Sequence, residues 1–261
     1  LASRAAVRYL EALRARLFDA AYAMFSASAK TYCTPDEFRS SRDTSTWTWS
    51  GLRVERMEPG AVLLAYEHRV EGMPPRRDHV LFVEENKLWV RPYNGALMRK
   101  VEEAFVKGDA DGGLILATAA ASINPRDATA RGYLCEAAYY RKAPEETEKQ
   151  CATAIELSRV YPSNLTLKSL YHLRAILADT YKNALKLPER ALDQFASMLA
   201  FPDISPADQC EILIARAEAY LSLSRPGEAL VDLDRGARLC ARPSDQASIE
   251  AMRGKLNAPS N

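Results

Sequence analysis

Proton transfer needs a His or a carboxylate held in a desolvated cavity. The N-terminal part of the chain offers Asp19, Tyr22, Tyr32, Trp47, Trp49, Tyr66, His68 and His79 as materials for one. Of these, Tyr22, Trp47, Tyr66 and His68 make the candidate pocket set for a small-molecule binder or enzyme. No acid/base pair stands at a recognisable spacing. The plainer account of the same residues is that the rings fill an interior, with His68-Arg69 marking a strand end near solvent.

Cysteine is the second reactive side chain. Five are present, at 33, 135, 151, 210 and 240, and none forms a Cys-x-x-Cys pair, so the usual zinc and thioredoxin-like spacings are excluded. Residues equidistant from the turn of an antiparallel helical hairpin face each other. Cys135 and Cys151 fall near such positions, and so do Cys210 and Cys240, within reach of disulfide geometry. For the first pair, a bond and two small buried thiols are equally good readings. For the second, at helix ends where a core Cys is less expected, the bond is the better one. Cys33 stays unpaired. Bonds would favour an oxidising compartment, periplasmic or otherwise extracytoplasmic, over the cytoplasmic alternative.

Other chemistry is missing from the sequence. No Gly-rich phosphate loop, Gly-x-Ser-x-Gly elbow or His-Glu-x-x-His pair occurs. Asp109-Ala110-Asp111-Gly112-Gly113 lacks the further oxygen ligands of a calcium loop and reads as a turn. The expectation is no catalytic residue, no metal and no cofactor. Lys plus Arg total 35 and Asp plus Glu 34, a formal net charge of +1, balanced in both halves of the chain. A phosphate-backbone binder needs a strong basic excess, so no nucleic-acid partner is expected. No apolar run is long enough to span a membrane. The chain starts at Leu1 without a Met, so a removed upstream signal or anchor is left open.

These side chains must be positioned by two different kinds of element. Up to residue 30 or so, Ala6, Tyr9, Leu10 and Leu13, then Leu17, Ala20, Ala21, Met24 and Phe25, trace an apolar helical stripe, with a break between Leu13 and Phe18. Thr34-Pro35-Asp36-Glu37 reads as a capped helix start. From Thr46 the residues turn β-branched and aromatic in four short runs, separated by Glu58-Pro59-Gly60, Glu71-Gly72-Met73-Pro74-Pro75 and Glu85-Asn86-Lys87. That is an antiparallel meander. Alternation at Val62, Leu64, Tyr66, His68 and Val70 leaves one face to be covered by the leading helices. Helices followed by a curled sheet ending in KLWVRPY resembles the cone-shaped nuclear-transport-factor-2-like superfamily, and more narrowly its small bacterial envelope domains. The resemblance implies a cone able to enclose a pocket. A cystatin-like or other α+β roll would give a similar order.

Tyr93-Asn94-Gly95 is a turn, and beyond it the period is helical. Ala138-Tyr139, Thr180-Tyr181 and Ala219-Tyr220 recur about 40 residues apart, each followed by a turn and a helix with small inner residues: Thr147 and Ala154, then Ala191 with Phe195, then Ala229 with Leu233 and Gly236. EAYLSLSRPGEALVDLDRGA in particular resembles the tetratricopeptide repeat, whose usual period is roughly 34 residues. DTYKNALKLPERALDQFASML carries an extra residue in its turn, and residues 96–125 form a poorer first unit with Ala104 in place of the Tyr. The expected fold is thus an α+β cone-like domain over 1–94 followed by an all-α helical-hairpin solenoid over 95–257.

Solenoids of this family present their first helices along a concave groove that binds peptides. One face of each first helix gives Tyr133, Tyr140, Arg141, His172, Asp179, Lys182 and Glu218, with Met98, Glu102, Phe105 and Glu211 on the same surface. Mixed charge with aromatics suits a protein or peptide partner. The expected function is a non-enzymatic protein–protein interaction adaptor in a bacterial envelope assembly. The alternatives are a small-molecule binder or enzyme using the N-terminal pocket, and self-association that fills the groove with this chain's own N-terminal domain or a second copy.

Overall fold

A computed structural model describes residues 1–42 and 45–257. Two compact units divide the chain: Leu1–Ala130 with Arg159–Pro162, and Arg131–Ser158 with the residues from Ser163 onward. The change from strand to helix falls at Gly95, while the units part at 130/131, so the first helical pair belongs to the first unit.

The first unit opens with α1 (Ala2–Arg14), α2 (Phe18–Ala23), α3 (Ala27–Tyr32) and α4 (Pro35–Ser40). The break after α1 is made without Gly or Pro. Arg16 takes a left-handed φ of 57°, and Leu17 N–H reaches back to the Ala12 carbonyl. At α4, Thr34 and Glu37 form a reciprocal capping box with Pro35 in the first turn. The strands β1 (Trp47–Glu58), β2 (Ala61–Val70), β3 (Arg76–Glu85) and β4 (Leu88–Val90) form an antiparallel sheet in chain order. β1 is bulged between Ser50 and Arg53, where Gly51 supplies φ 66°, and again between Val54 and Arg56.

α1 lies on the sheet, with the Tyr9 ring edge-on to Phe82 at 6.0 Å. The expectation of one covered face fails along the first half of β2, where every residue from Ala61 to Tyr66 is buried. The cause is legible afterwards: Leu63 and Ala65 are as apolar as Val62 and Leu64, so neither parity can face water. The chain around Phe25 pairs with Arg91 through Arg91 N–H to Met24 O (2.8 Å) and Ser26 N–H to Arg91 O (2.9 Å). Next come α5 (Gly95–Val106) and α6 (Ala110–Ile123), an antiparallel pair. Asp109 caps α6 by accepting from Gly112 N–H.

The second unit is a succession of helical hairpins. Its elements are α7 (Ala128–Tyr140), α8 (Pro144–Val160), α9 (Leu167–Asp179), α10 (Pro188–Leu199), α11 (Pro206–Ser222), α12 (Pro226–Leu239) and α13 (Pro243–Asn257). Three hairpin turns share one construction. A left-handed residue (Lys142, Lys186, Ser224) is followed two positions on by a proline that starts the second helix (Pro144, Pro188, Pro226). Ala143 N–H bonds Ala138 O, and Arg225 N–H bonds Tyr220 O. The middle hairpin absorbs its extra residue in a π-helical turn over Thr180–Ala184, where Leu185 N–H reaches Thr180 O. Counted back from these turns, Ala138 rather than Tyr139 is the counterpart of Tyr220.

Small residues sit where helices approach: Cys151, Ala154, Ala191, Ala217, Ala229 and Gly236 are buried, between larger Leu173, Ile176, Phe195, Leu213 and Leu233. Burial of these apolar side chains, at about 25 cal/mol per Å², is what holds hairpins too thin to stand alone.

Candidate functional site

Both cysteine pairs are joined in the second unit. Cys135 bonds Cys151, tying α7 to α8, and Cys210 bonds Cys240, tying the start of α11 to the end of α12. Cys33 is buried and free. Cys210, Cys240 and Asp245 bring ligand-type atoms within 4.8 Å of one another. Both sulfurs are committed to the disulfide, so neither is a thiolate able to hold zinc.

Successive first helices of the second unit are laced together by polar pairs, and most of the expected groove residues take part. His172 Nε2 of α9 lies 3.7 Å from Glu136 of α7. Burial raises the Glu136 carboxyl pKa, and the His172 charge opposes that. Tyr139 OH donates to Asp179 at 2.9 Å, and the hydrogen bond raises the phenol's pKa. Asp179 also accepts from Asn183. Lys182 meets Glu218 of α11 at 2.6 Å, and Arg242 at the head of α13 meets Glu211 at 2.6 Å. His172, Asp179, Lys182 and Glu218 thus bond neighbouring helices along this surface. Tyr133 is half-buried and Arg141 is exposed just past the end of α7.

A cleft of about 470 Å³ opens at the turn end of this surface. Its walls are Tyr139, Tyr140, Lys142 and Pro144 from the α7–α8 turn, with Asp179 and Asn183 from the end of α9 and its π turn. Tyr140 is 68% exposed, its ring set edge-on to Tyr139 at 5.8 Å. Of the sequence-derived groove set, Tyr140 and Asp179 line the cleft; Lys142 and Asn183 were not foreseen. The Lys-Ala-Pro turn was the available signal for Lys142, and nothing local marked Asn183.

In the first unit a smaller cavity of about 240 Å³ is lined by Leu13, Arg14, Arg16, Phe18, Arg42, Ser45, Thr46, Trp47, Tyr66, His68, Arg76 and Asp78. It brings together Trp47, Tyr66 and His68 from the expected pocket set, the Trp47 and His68 rings lying 4.9 Å apart. Burial pushes the Tyr66 hydroxyl pKa up, the Asp78 charge adds to this, and the hydroxyl donates to Asp78 at 3.1 Å. Tyr22 is elsewhere. Its ring packs on Phe25 and Phe38, and its hydroxyl donates to the Cys33 carbonyl at 2.9 Å. Asp19 pairs with Arg39 at the surface, and His79 with Glu55. Four arginines in the cavity wall were missed by sequence reasoning. They are scattered from 14 to 76, and only the fold gathers them.

No family model and no curated protein matches the chain. Solved structures with related helical architecture include the MamA protein (TM-score 0.46, 12% identity, 65% of this chain and 80% of that one). PilF of Pseudomonas aeruginosa gives a TM-score of 0.45 at 15% identity, over 62% of this chain and 68% of its own. YrrB, described as a TPR protein with an unusual peptide-binding site, gives 0.41 at 10% identity, over 62% and 93%. None of these scores reaches 0.5, so the repeat reading stands on the hairpins and turns themselves. No helix among the described residues is long and apolar enough to cross a membrane.

Proposed function

We propose that the protein is an interaction adaptor that holds an extended segment of another polypeptide on the hairpin stack, with a tetratricopeptide-like domain over 95–257 and a nuclear-transport-factor-2-like cone over 1–94. The observation that carries this is the cleft with Tyr140 at its rim. A largely exposed aromatic beside a carboxylate (Asp179), an amide (Asn183) and an ammonium (Lys142) offers one apolar anchor and both kinds of hydrogen-bonding partner to a peptide. Tyr133, Arg141, His172, Lys182 and Glu218 extend that surface along the first helices. The paired cysteines support an oxidising compartment, and with it an envelope assembly.

The test is site-specific photocrosslinking in the native host. A photoreactive residue at Tyr140 should capture a discrete polypeptide, and Tyr140→Ala with Arg141→Ala should abolish its co-purification. The same probe at Val231, 67% exposed on α12, should capture none. Equal capture at both positions, or capture unaffected by the double substitution, would sink the proposal.

A further inference from the structure

The cavity of the first unit has a wall unlike that of the cleft. Arg14 ends α1, Arg16 follows it, Arg42 follows α4, and Arg76 opens β3. Arg14 is paired with Glu11, and Asp78 is the one carboxylate among the described lining residues. Asp78 already accepts from Tyr66 OH (3.1 Å) and His79 N–H (2.7 Å), so its oxygens are turned toward the sheet's own donors.

Arg42 is held before any ligand arrives. Its guanidinium sits 4.3 Å from the Phe38 ring centre and 5.3 Å from that of Tyr93, and one Nη donates to Tyr93 OH at 2.7 Å. Its Nε is buried without a hydrogen-bond partner. Arg76 lies across the β2–β3 ladder from His68, and no ion pair occupies it among the described residues. Arg14 gives Nε and Nη2 to Glu11 and keeps its other Nη. Leu13, Phe18, Trp47 and Tyr66 supply an apolar remainder.

We propose that this cavity binds a small oxyanion, a carboxylate or phosphate on a compact organic body, gripped by Arg42 and Arg76. The planar fork of arginine matches such groups with paired N–H donors, and a guanidinium already fixed by stacking loses little freedom on binding. At about 240 Å³ the cavity has room for a compact anion. The site shares no residue with the cleft, so either reading stands or falls without the other.

The full chain, purified oxidised and in low salt, is titrated calorimetrically with inorganic phosphate, phenyl phosphate, succinate and neutral benzyl alcohol, with tryptophan fluorescence followed in parallel. At least one anion should bind with a Kd of about 1 mM or tighter, and benzyl alcohol should not bind. Arg76→Gln, an exposed position that leaves the core intact, should weaken that anion at least about tenfold, as should Arg42→Gln wherever circular dichroism shows it folded. Arg8→Gln, on α1 outside this cavity, should bind as the parent does. Binding of the phosphates without succinate marks a phosphate site, and binding of succinate without the phosphates marks a carboxylate site. No heat from any anion at about 10 mM, equal affinity in Arg76→Gln, or an equal loss in Arg8→Gln overturns the proposal.

Discussion

Glu58 shows how a single side chain can contribute to the acid sensitivity of the first unit. A hydrogen bond from Tyr161 draws its pKa down from 4.5 to about 2, with help from Arg56 (2.5 Å) and Arg126 (3.1 Å). A carboxylate whose folded pKa lies below its unfolded value adds stability above the unfolded pKa and loses it as pH falls toward the folded one. Stability should therefore drop between about pH 4.5 and pH 2, and Glu58→Gln should flatten that part of the profile. Urea midpoints measured across the window check this; an unchanged slope in the variant would contradict it. At this scale the sequence was a mixed guide. Trp47, Tyr66 and His68 could be grouped because strand alternation and ring content mark them. Tyr22 was grouped with them on residue type alone, and its place against Phe25 and Phe38 depends on how α2 and α4 pack. The arginine wall had no local mark at all, since charge on a helix end or strand start is ordinarily solvated.

At the scale of elements, the α11–α12 hairpin is pinned by Arg216 and Asp232. Nε and Nη2 of Arg216 each donate to a different oxygen of Asp232 at 2.6 Å, and Asp232 is 2% exposed. Truncating one partner of such a buried pair strands the other's charge. Asp232→Ala should cost roughly 3 kcal/mol, and Asp232→Asn, which keeps one acceptor, clearly less. Chemical denaturation of the oxidised protein measures both; equal losses would mean that packing rather than charge is at stake. Hairpins themselves were legible because their punctuation is chemical. Lys-Ala-Pro, Lys-Leu-Pro and Ser-Arg-Pro place a proline where the second helix begins, and proline's fixed φ and missing N–H suit only the first helical turn. What the extra residue of the middle hairpin would do was not legible. A longer loop and a π turn differ by which carbonyl Leu185 N–H finds, and that is settled only in the fold, where Tyr181 lies buried in the same turn.

Over the whole molecule the two units are stabilised by different means. The first unit closes on ring contacts, with Phe25 stacked on Tyr93 at 4.7 Å and Phe38 edge-on to both, and its one cysteine is free. The second unit has cores rich in alanine, and contains both crosslinks, closing loops of 16 and 30 residues. Loops of that size restrict the unfolded chain enough to add about 3 kcal/mol for the shorter and slightly more for the longer. That contribution persists only where thiols are kept oxidised, so the compartment and the thermal stability of the hairpin stack are one question. Calorimetry should resolve two transitions, and a reducing agent should lower one of them by at least about 10 °C while leaving the other in place. Cys135→Ser with Cys210→Ser should reproduce the shift without reductant and remove any further response to it. A single transition displaced as a whole would show that the units melt together, and two transitions indifferent to reductant would show that the bonds carry no part of the fold.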